Sequence, residues 1–101
     1  MKYAEITGWG SYVPQLVMTN DDISKVVDTS DEWIFSRSGI KQRYYSHVST
    51  GKMAWLACDR ALAVAGVDAE DIDLIILGST SPEEICPNTA GFIKNELGAT
   101  K

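Results

Sequence analysis

Asp28-Thr29-Ser30-Asp31-Glu32-Trp33-Ile34-Phe35-Ser36-Arg37-Ser38-Gly39-Ile40 is the stretch around which this chain is organised. Thr29 followed three residues later by Glu32 has the pattern of a capping box. The Thr hydroxyl can accept from the backbone N–H of Glu32, and the Glu carboxylate from that of Thr29. Asp31 and Glu32 suit the positive end of a helix dipole. Gly39 is placed to end the helix after a few turns. Trp33 and Arg37 lie four residues apart and so share a helix face. An indole beside a guanidinium can offer a stacking plane and a phosphate fork together. The plainer reading of the same spacing is a Trp packed in a core with an Arg reaching water.

The 101 residues suffice for one domain with a modest core. An apolar content of 45% and a charged content of 23% are ordinary for a soluble globular chain. The net charge of −5 argues against nucleic acid, which calls for a basic stripe, and against an anionic membrane surface. No apolar run approaches the roughly 20 residues of a membrane span, and the N-terminus lacks the apolar region of a signal peptide. Two Cys without metal-ligand spacing fit reduced thiols in a cytoplasm.

Upstream, Tyr3 to Tyr12 reads as a strand, interrupted at Gly8 and Gly10 by a bulge or a close backbone approach. Gly8-Trp9-Gly10 begins like a dinucleotide fingerprint, but the third Gly is missing and Pro14 follows in place of a helix. Thr19 or Asn20 caps a short helix through Val27, with Ile23, Val26 and Val27 as its buried stripe. Downstream, Ile40 to Val48 reads as a strand or an extended loop. Ser49 or Thr50 then caps the longest helix, from Gly51 to Ala65, which is apolar nearly all round and so expected to be buried on more than one side. Gly66 ends it, with Val67 placed for the accompanying hydrophobic contact. Asp68 to Asp73 is an acidic turn without the central Gly and terminal Glu of a calcium loop. Leu74-Ile75-Ile76-Leu77 has the length and unbroken apolarity of a strand covered on both faces. Gly78 to Pro82 is then a loop at a strand's C-terminal end, where open α/β sheets place ligands. Pro87 fits the first position of a last helix with the stripe Ala90, Ile93 and Leu97, stopped by Gly98. This alternation of strands and helices predicts an α/β layered fold, an incomplete mixed sheet with helices on its faces.

Nucleophilic chemistry has few candidates. Cys86 before Pro87 at a helix N-terminus is the foremost thiol, yet catalysis also needs an adjacent oriented base. His47 is the only His, and its spacing ties it to nothing. Cys58 sits mid-helix among apolar residues as a core thiol. The pairs Asp31/Glu32 and Glu83/Glu84 read as caps or solvated charges. No metal site is expected.

Val27-Asp28-Thr29-Ser30-Asp31-Glu32-Trp33-Ile34, with Arg37-Ser38-Gly39-Ile40, resembles the N-terminal part of the β-ketoacyl-acyl carrier protein synthase III family, condensing enzymes of the thiolase fold. Supporting matches are Gly8-x-Gly10-Ser11-Tyr12-Val13-Pro14, Thr19-Asn20, Ala65-Gly66, Asp71-Ile72-Asp73-Leu74-Ile75-Ile76, Ser79-Thr80-Ser81 and Leu97-Gly98. The likeness runs through the whole chain. It implies that residues 1–101 are a partial thiolase-like domain, lacking the rest of that domain and the second half of the fold.

The resemblance also implies function. Trp33 would stack on the adenine of coenzyme A, and Thr29 and Arg37 would contact the same nucleotide end. The family condenses an acyl-CoA primer with malonyl-acyl carrier protein, losing CO2 and initiating fatty acid synthesis. Its Cys, His and Asn would lie beyond Lys101, so this chain is expected to be inactive alone. Coenzyme A enters as a substrate thioester, with no separate cofactor, in a cytoplasmic homodimer. Ser38 stands where the family commonly has Thr, and Arg43-Tyr44-Tyr45 departs from its commonest pattern. Cys86 stands where many members carry a Phe that crosses the dimer interface to line the partner's acyl pocket. Other readings are a different acyl-CoA Claisen-condensing enzyme of the superfamily, a non-catalytic CoA-binding module, and a structural dimerisation domain.

Overall fold

The computed structural model describes residues 2–81 and 88–100. The chain divides into two compact units, Val13–His47 and the pairing of Met1–Tyr12 with Val48–Lys101.

In the unit Val13–His47, strand β1 (Leu16–Thr19) pairs antiparallel with β2 (Gln42–Tyr45), with Leu16 opposite Tyr45 and Thr19 opposite Gln42. Strand β2 falls inside the segment expected to be extended, whereas β1 was not foreseen. Helix α1 (Asn20–Ser24) follows β1 without a linker and is capped by Thr19. Thr19 Oγ1 accepts from the Asp22 N–H at 3.2 Å, and Asp22 Oδ2 accepts from the Thr19 N–H at 2.9 Å. The Thr19 N–H and hydroxyl, both donating to Oδ2, hold the Asp22 carboxyl below its ordinary pKa. The helix stops at Ser24 instead of reaching Val27, and the expected stripe is not buried: Val26 and Val27 are exposed, and only Ile23 is partly covered. Two consecutive β-branched residues lose χ1 freedom in a helix, and here both N–H groups turn back onto the Ile23 carbonyl.

Helix α2 (Asp31–Ser38) begins one residue later than the capping-box pattern implied. Ser30, in extended conformation, is the cap, and its Oγ accepts from the Trp33 N–H at 3.2 Å. Ser caps at least as well as Thr, so the shift loses nothing, and Thr29 is released from capping. Gly39 ends α2 with a left-handed φ of 72°, its N–H reaching the Phe35 carbonyl at 2.8 Å.

In the other unit, residues 3–12 form no strand among the described residues. They run instead against helix α3 (Thr50–Ala65). A Cβ on Gly8 would lie 2.5 Å from the Ala61 carbonyl oxygen, and one on Gly10 would collide with the Ala57 carbonyl oxygen. The two glycines are thus required by close approach to a helix, which forgoes a ladder. Arg60 Nη1 adds a 2.7 Å bond to the Ser11 carbonyl.

Ser49 caps α3 and Gly66 ends it, with the Val67 N–H reaching the Leu62 carbonyl at 3.2 Å. Helix α3 is not enclosed as expected: its apolar residues are largely half-buried and Val64 is exposed. It packs on α4 (Thr89–Leu97), whose Ile93 is only 1% exposed. Asn88 caps α4 through a 2.8 Å bond from the Ala90 N–H, and Gly98 ends it at φ 77°. Pro87 itself lies outside the described residues, within which α4 opens at Thr89.

A short 3-10 turn (Ala69–Asp71) leads through an extended Ile72 into residues 73–79, which join no ladder among the described residues. Leu74 and Ile76 are 75% and 85% exposed, while Ile75 and Leu77 are half-buried. The expected strand covered on both faces is therefore packed on one face only. The period-2 alternation of a strand survives from Leu74 to Leu77, outside any ladder of the described residues. No helix among the described residues is long and apolar enough to cross a membrane.

Candidate functional site

The site grows from α2. Its eight residues include none that is buried, so the helix presents its side chains to solvent and to a cleft. Trp33 and Arg37 meet on one face, with the guanidinium carbon 4.6 Å from the indole centroid. Trp33 remains 55% exposed, so among the described residues no core encloses its ring. The pair combines an accessible aromatic plane with a cation whose donors can fork onto a phosphate.

A cleft of about 580 Å3 borders the pair, lined by Ile23, Val27, Thr29 and Ile34 among others. Thr29 Oγ1 is buried without a hydrogen-bond partner. Having given up the cap to Ser30, this hydroxyl can both donate and accept, and an unmet buried polar atom is costly. Three of the residues singled out in the sequence, Thr29, Trp33 and Arg37, are thus brought to one cleft and its rim. Asp28 also lines the cleft, a negative charge at a site otherwise suited to an anion.

One residue of this unit has a role that its sequence signals do not foretell. Asn20 is 0% exposed and its amide is engaged throughout. Nδ2 donates to Asp31 Oδ1 at 2.8 Å and to the Ile40 carbonyl at 2.7 Å. Oδ1 accepts from Arg43 Nη2 at 2.7 Å. The backbone N–H reaches the Lys41 carbonyl at 3.2 Å. The sequence marks Asn20 only as a candidate cap and as part of the Thr19-Asn20 match, and neither signal foretells a buried amide.

The remaining candidates do not converge. Cys86, Glu83 and Glu84 lie outside the described residues. His47 is exposed, its ring edge-on to Tyr45 at 6.1 Å. Cys58 is half-buried, in a cleft with Gly8, Leu62 and Leu74, and burial pushes its thiol pKa above the ordinary value. That shift disfavours the thiolate and hence a nucleophilic role. Among the described residues, no group of three or more His, Cys, Asp or Glu is arranged to hold a metal.

No family model matches the chain. A β-ketoacyl-acyl-carrier-protein synthase III 2 of Vibrio vulnificus is 52% identical over 95 residues, which cover 94% of this chain and 26% of that protein. A β-ketoacyl-acyl-carrier-protein synthase III of Xanthomonas euvesicatoria is 51% identical over 98 residues, covering 95% of this chain and 30% of that protein. The crystal structure of 3-oxoacyl-acyl-carrier-protein synthase III from Aquifex aeolicus matches with a TM-score of 0.82 at 43% identity, over 94% of this chain and 31% of the other. The chain thus spans less than a third of the length of these relatives. Half-identical in sequence and alike in fold across nearly all of its residues, the chain matches a part of β-ketoacyl-acyl-carrier-protein synthase III proteins and carries part of their thiolase-like fold.

Proposed function

We propose that the whole protein containing this chain is a condensing enzyme. It joins an acyl-CoA primer to malonyl-acyl carrier protein with loss of CO2 and so initiates fatty acid synthesis. The part of the work assigned to this chain is holding the nucleotide end of coenzyme A. One observation carries that assignment: a half-exposed Trp33 with Arg37 against its ring, beside the unpartnered hydroxyl of Thr29. Adenine stacks on the indole for about 1–3 kcal/mol. Arg37 meets a phosphate, and Thr29 supplies the hydrogen bond that its own chain leaves unmade. The acylated Cys and its His and Asn lie beyond Lys101. The protein acts as a cytoplasmic homodimer with acyl carrier protein as its second partner, and coenzyme A is substrate throughout.

Incubating the complete protein with acyl-CoA and malonyl-acyl carrier protein tests this reading. A 3-oxoacyl-acyl carrier protein product supports it. Coenzyme A binding without product from any primer would leave a binding module and overturn the enzymatic reading. The 101-residue chain alone yields no product, and product abolished by Cys86→Ala would contradict that.

Cys86 further sets primer length, by standing where a larger residue would narrow the partner's acyl pocket. Because one methylene is worth about 1–3 kcal/mol of discrimination, Cys86→Phe shifts preference toward short primers. An unchanged chain-length profile in that variant would contradict this role.

A further inference from the structure

We infer that Asn20 is the positioning residue for the Trp33–Arg37 pair, acting through the two ends of α2; this rests on the coenzyme A reading given above. Helix α2 has no buried residue, so no apolar stripe fixes how it lies on its unit. Orientation must come from polar contacts, and these converge on one wholly buried amide.

The Asn20 Nδ2 holds both ends of the helix. It donates to the carboxylate of Asp31, the first helical residue and two positions before Trp33, at 2.8 Å. It also donates to the carbonyl of Ile40, just past the Gly39 cap and three positions after Arg37, at 2.7 Å. The same side chain fixes itself to the ladder. Its Oδ1 accepts from Arg43 of β2, and its backbone N–H bonds Lys41, the residue before β2.

Two donors and an acceptor on a single planar group match this set, and no other side chain of the same size supplies them. Aspartate in its place keeps the acceptor for Arg43 but turns both donors into a lone-pair face against a carboxylate and a carbonyl. The ends of α2 are then released, and with them the direction of the indole and guanidinium. Asn20 touches no ligand in this arrangement.

The test is steady-state kinetics with acyl-CoA on the complete protein, in a cycle of Asn20→Asp and Trp33→Ala. Asn20→Asp alone raises KM for acyl-CoA about tenfold and leaves kcat within about twofold. In the Trp33→Ala background the same change adds less than about twofold to KM, because no platform remains to be misplaced. Asp31→Ala gives the same pattern and decides the matter if Asn20→Asp fails to fold. Asp31→Asn, which keeps an oxygen facing Nδ2, retains the wild-type KM.

If Trp33→Ala raises KM but neither Asn20→Asp nor Asp31→Ala does, the positioning role is overturned and the coenzyme A site stands. Equal KM effects in both backgrounds would also overturn it, because they mark a general structural loss. If Trp33→Ala itself leaves KM unchanged, the coenzyme A reading fails and this inference falls with it.

Discussion

The two units of this chain are held together by different physics. Val13–His47 is built on hydrogen bonds: a four-residue ladder, two capped helices and the buried amide of Asn20. The unit of Met1–Tyr12 and Val48–Lys101 is built on contact: glycines laid against α3, and Ile93 of α4 sealed from water. Exposed apolar groups therefore mean different things in the two. Leu74 and Ile76 lie on the open face of an extended segment, the condition of a strand awaiting cover. Trp33 sits on a helix that is fixed by polar bonds at both ends, the arrangement that the proposed adenine platform needs. Exposure alone does not separate these cases, whereas the hydrogen bonding around the exposed group does.

Substitutions can break that contrast, and the largest effect is expected in the unit built on contact. Ile93→Ala removes the best-buried apolar side chain among the described residues and should cost about 2–5 kcal/mol, read as a fall in melting temperature. A fall no greater than that of an exposed-site control such as Val64→Ala would deny that α3–α4 contact holds this unit. Gly8→Ala comes next. Its Cβ meets backbone that cannot yield easily, and overpacking of this kind costs about 1–3 kcal/mol. Unchanged stability would show that residues 2–12 can lift away from α3 at little cost.

A smaller effect sharpens the contrast in the other unit. Ser30→Ala removes the true cap of α2 and should cost about 1 kcal/mol, whereas Thr29→Ala should leave stability close to wild type. The order should reverse for ligand affinity, because Thr29 offers the unpartnered hydroxyl. Equal stability losses at the two positions would restore Thr29 to a capping role.

What the sequence disclosed follows from how local each signal was. The left-handed glycines at 39, 66 and 98 and the stripe through Ile93 depend on neighbours within a few residues and were legible, and the caps at Ser49 and Thr19 were legible to within one residue. So was the meeting of Trp33 with Arg37, since a helix sets that spacing. The cap was displaced by one residue because Thr29 and Ser30 are both competent caps, and with Trp33 three residues after Ser30 the reciprocal half of a capping box is lost. The strand readings at residues 3–12 and 74–77 failed for a different reason. β-propensity describes a residue that suits a sheet, and the sheet must be supplied by chain far away in sequence. The buried network of Asn20 was illegible on the same ground, because three of its four partners lie 20 or more residues downstream, and burial of a polar side chain is a property of tertiary structure. The family, by contrast, was readable from the run Val27–Ile34 with Arg37–Ile40, and the comparisons bear that resemblance out.

The most direct measurement is KM and melting temperature on one preparation of the complete protein carrying Trp33→Ala. The adenine is remote from the thioester, so its stacking energy is shared by ground and transition states, and its loss raises KM while sparing kcat. The expected result is a KM for acyl-CoA raised by about 10- to 100-fold, with kcat and melting temperature close to wild type. A Trp packed in a core behaves oppositely, because truncating it costs about 3–5 kcal/mol of stability. Early melting, with an unchanged KM in the fraction that stays folded, would contradict the account.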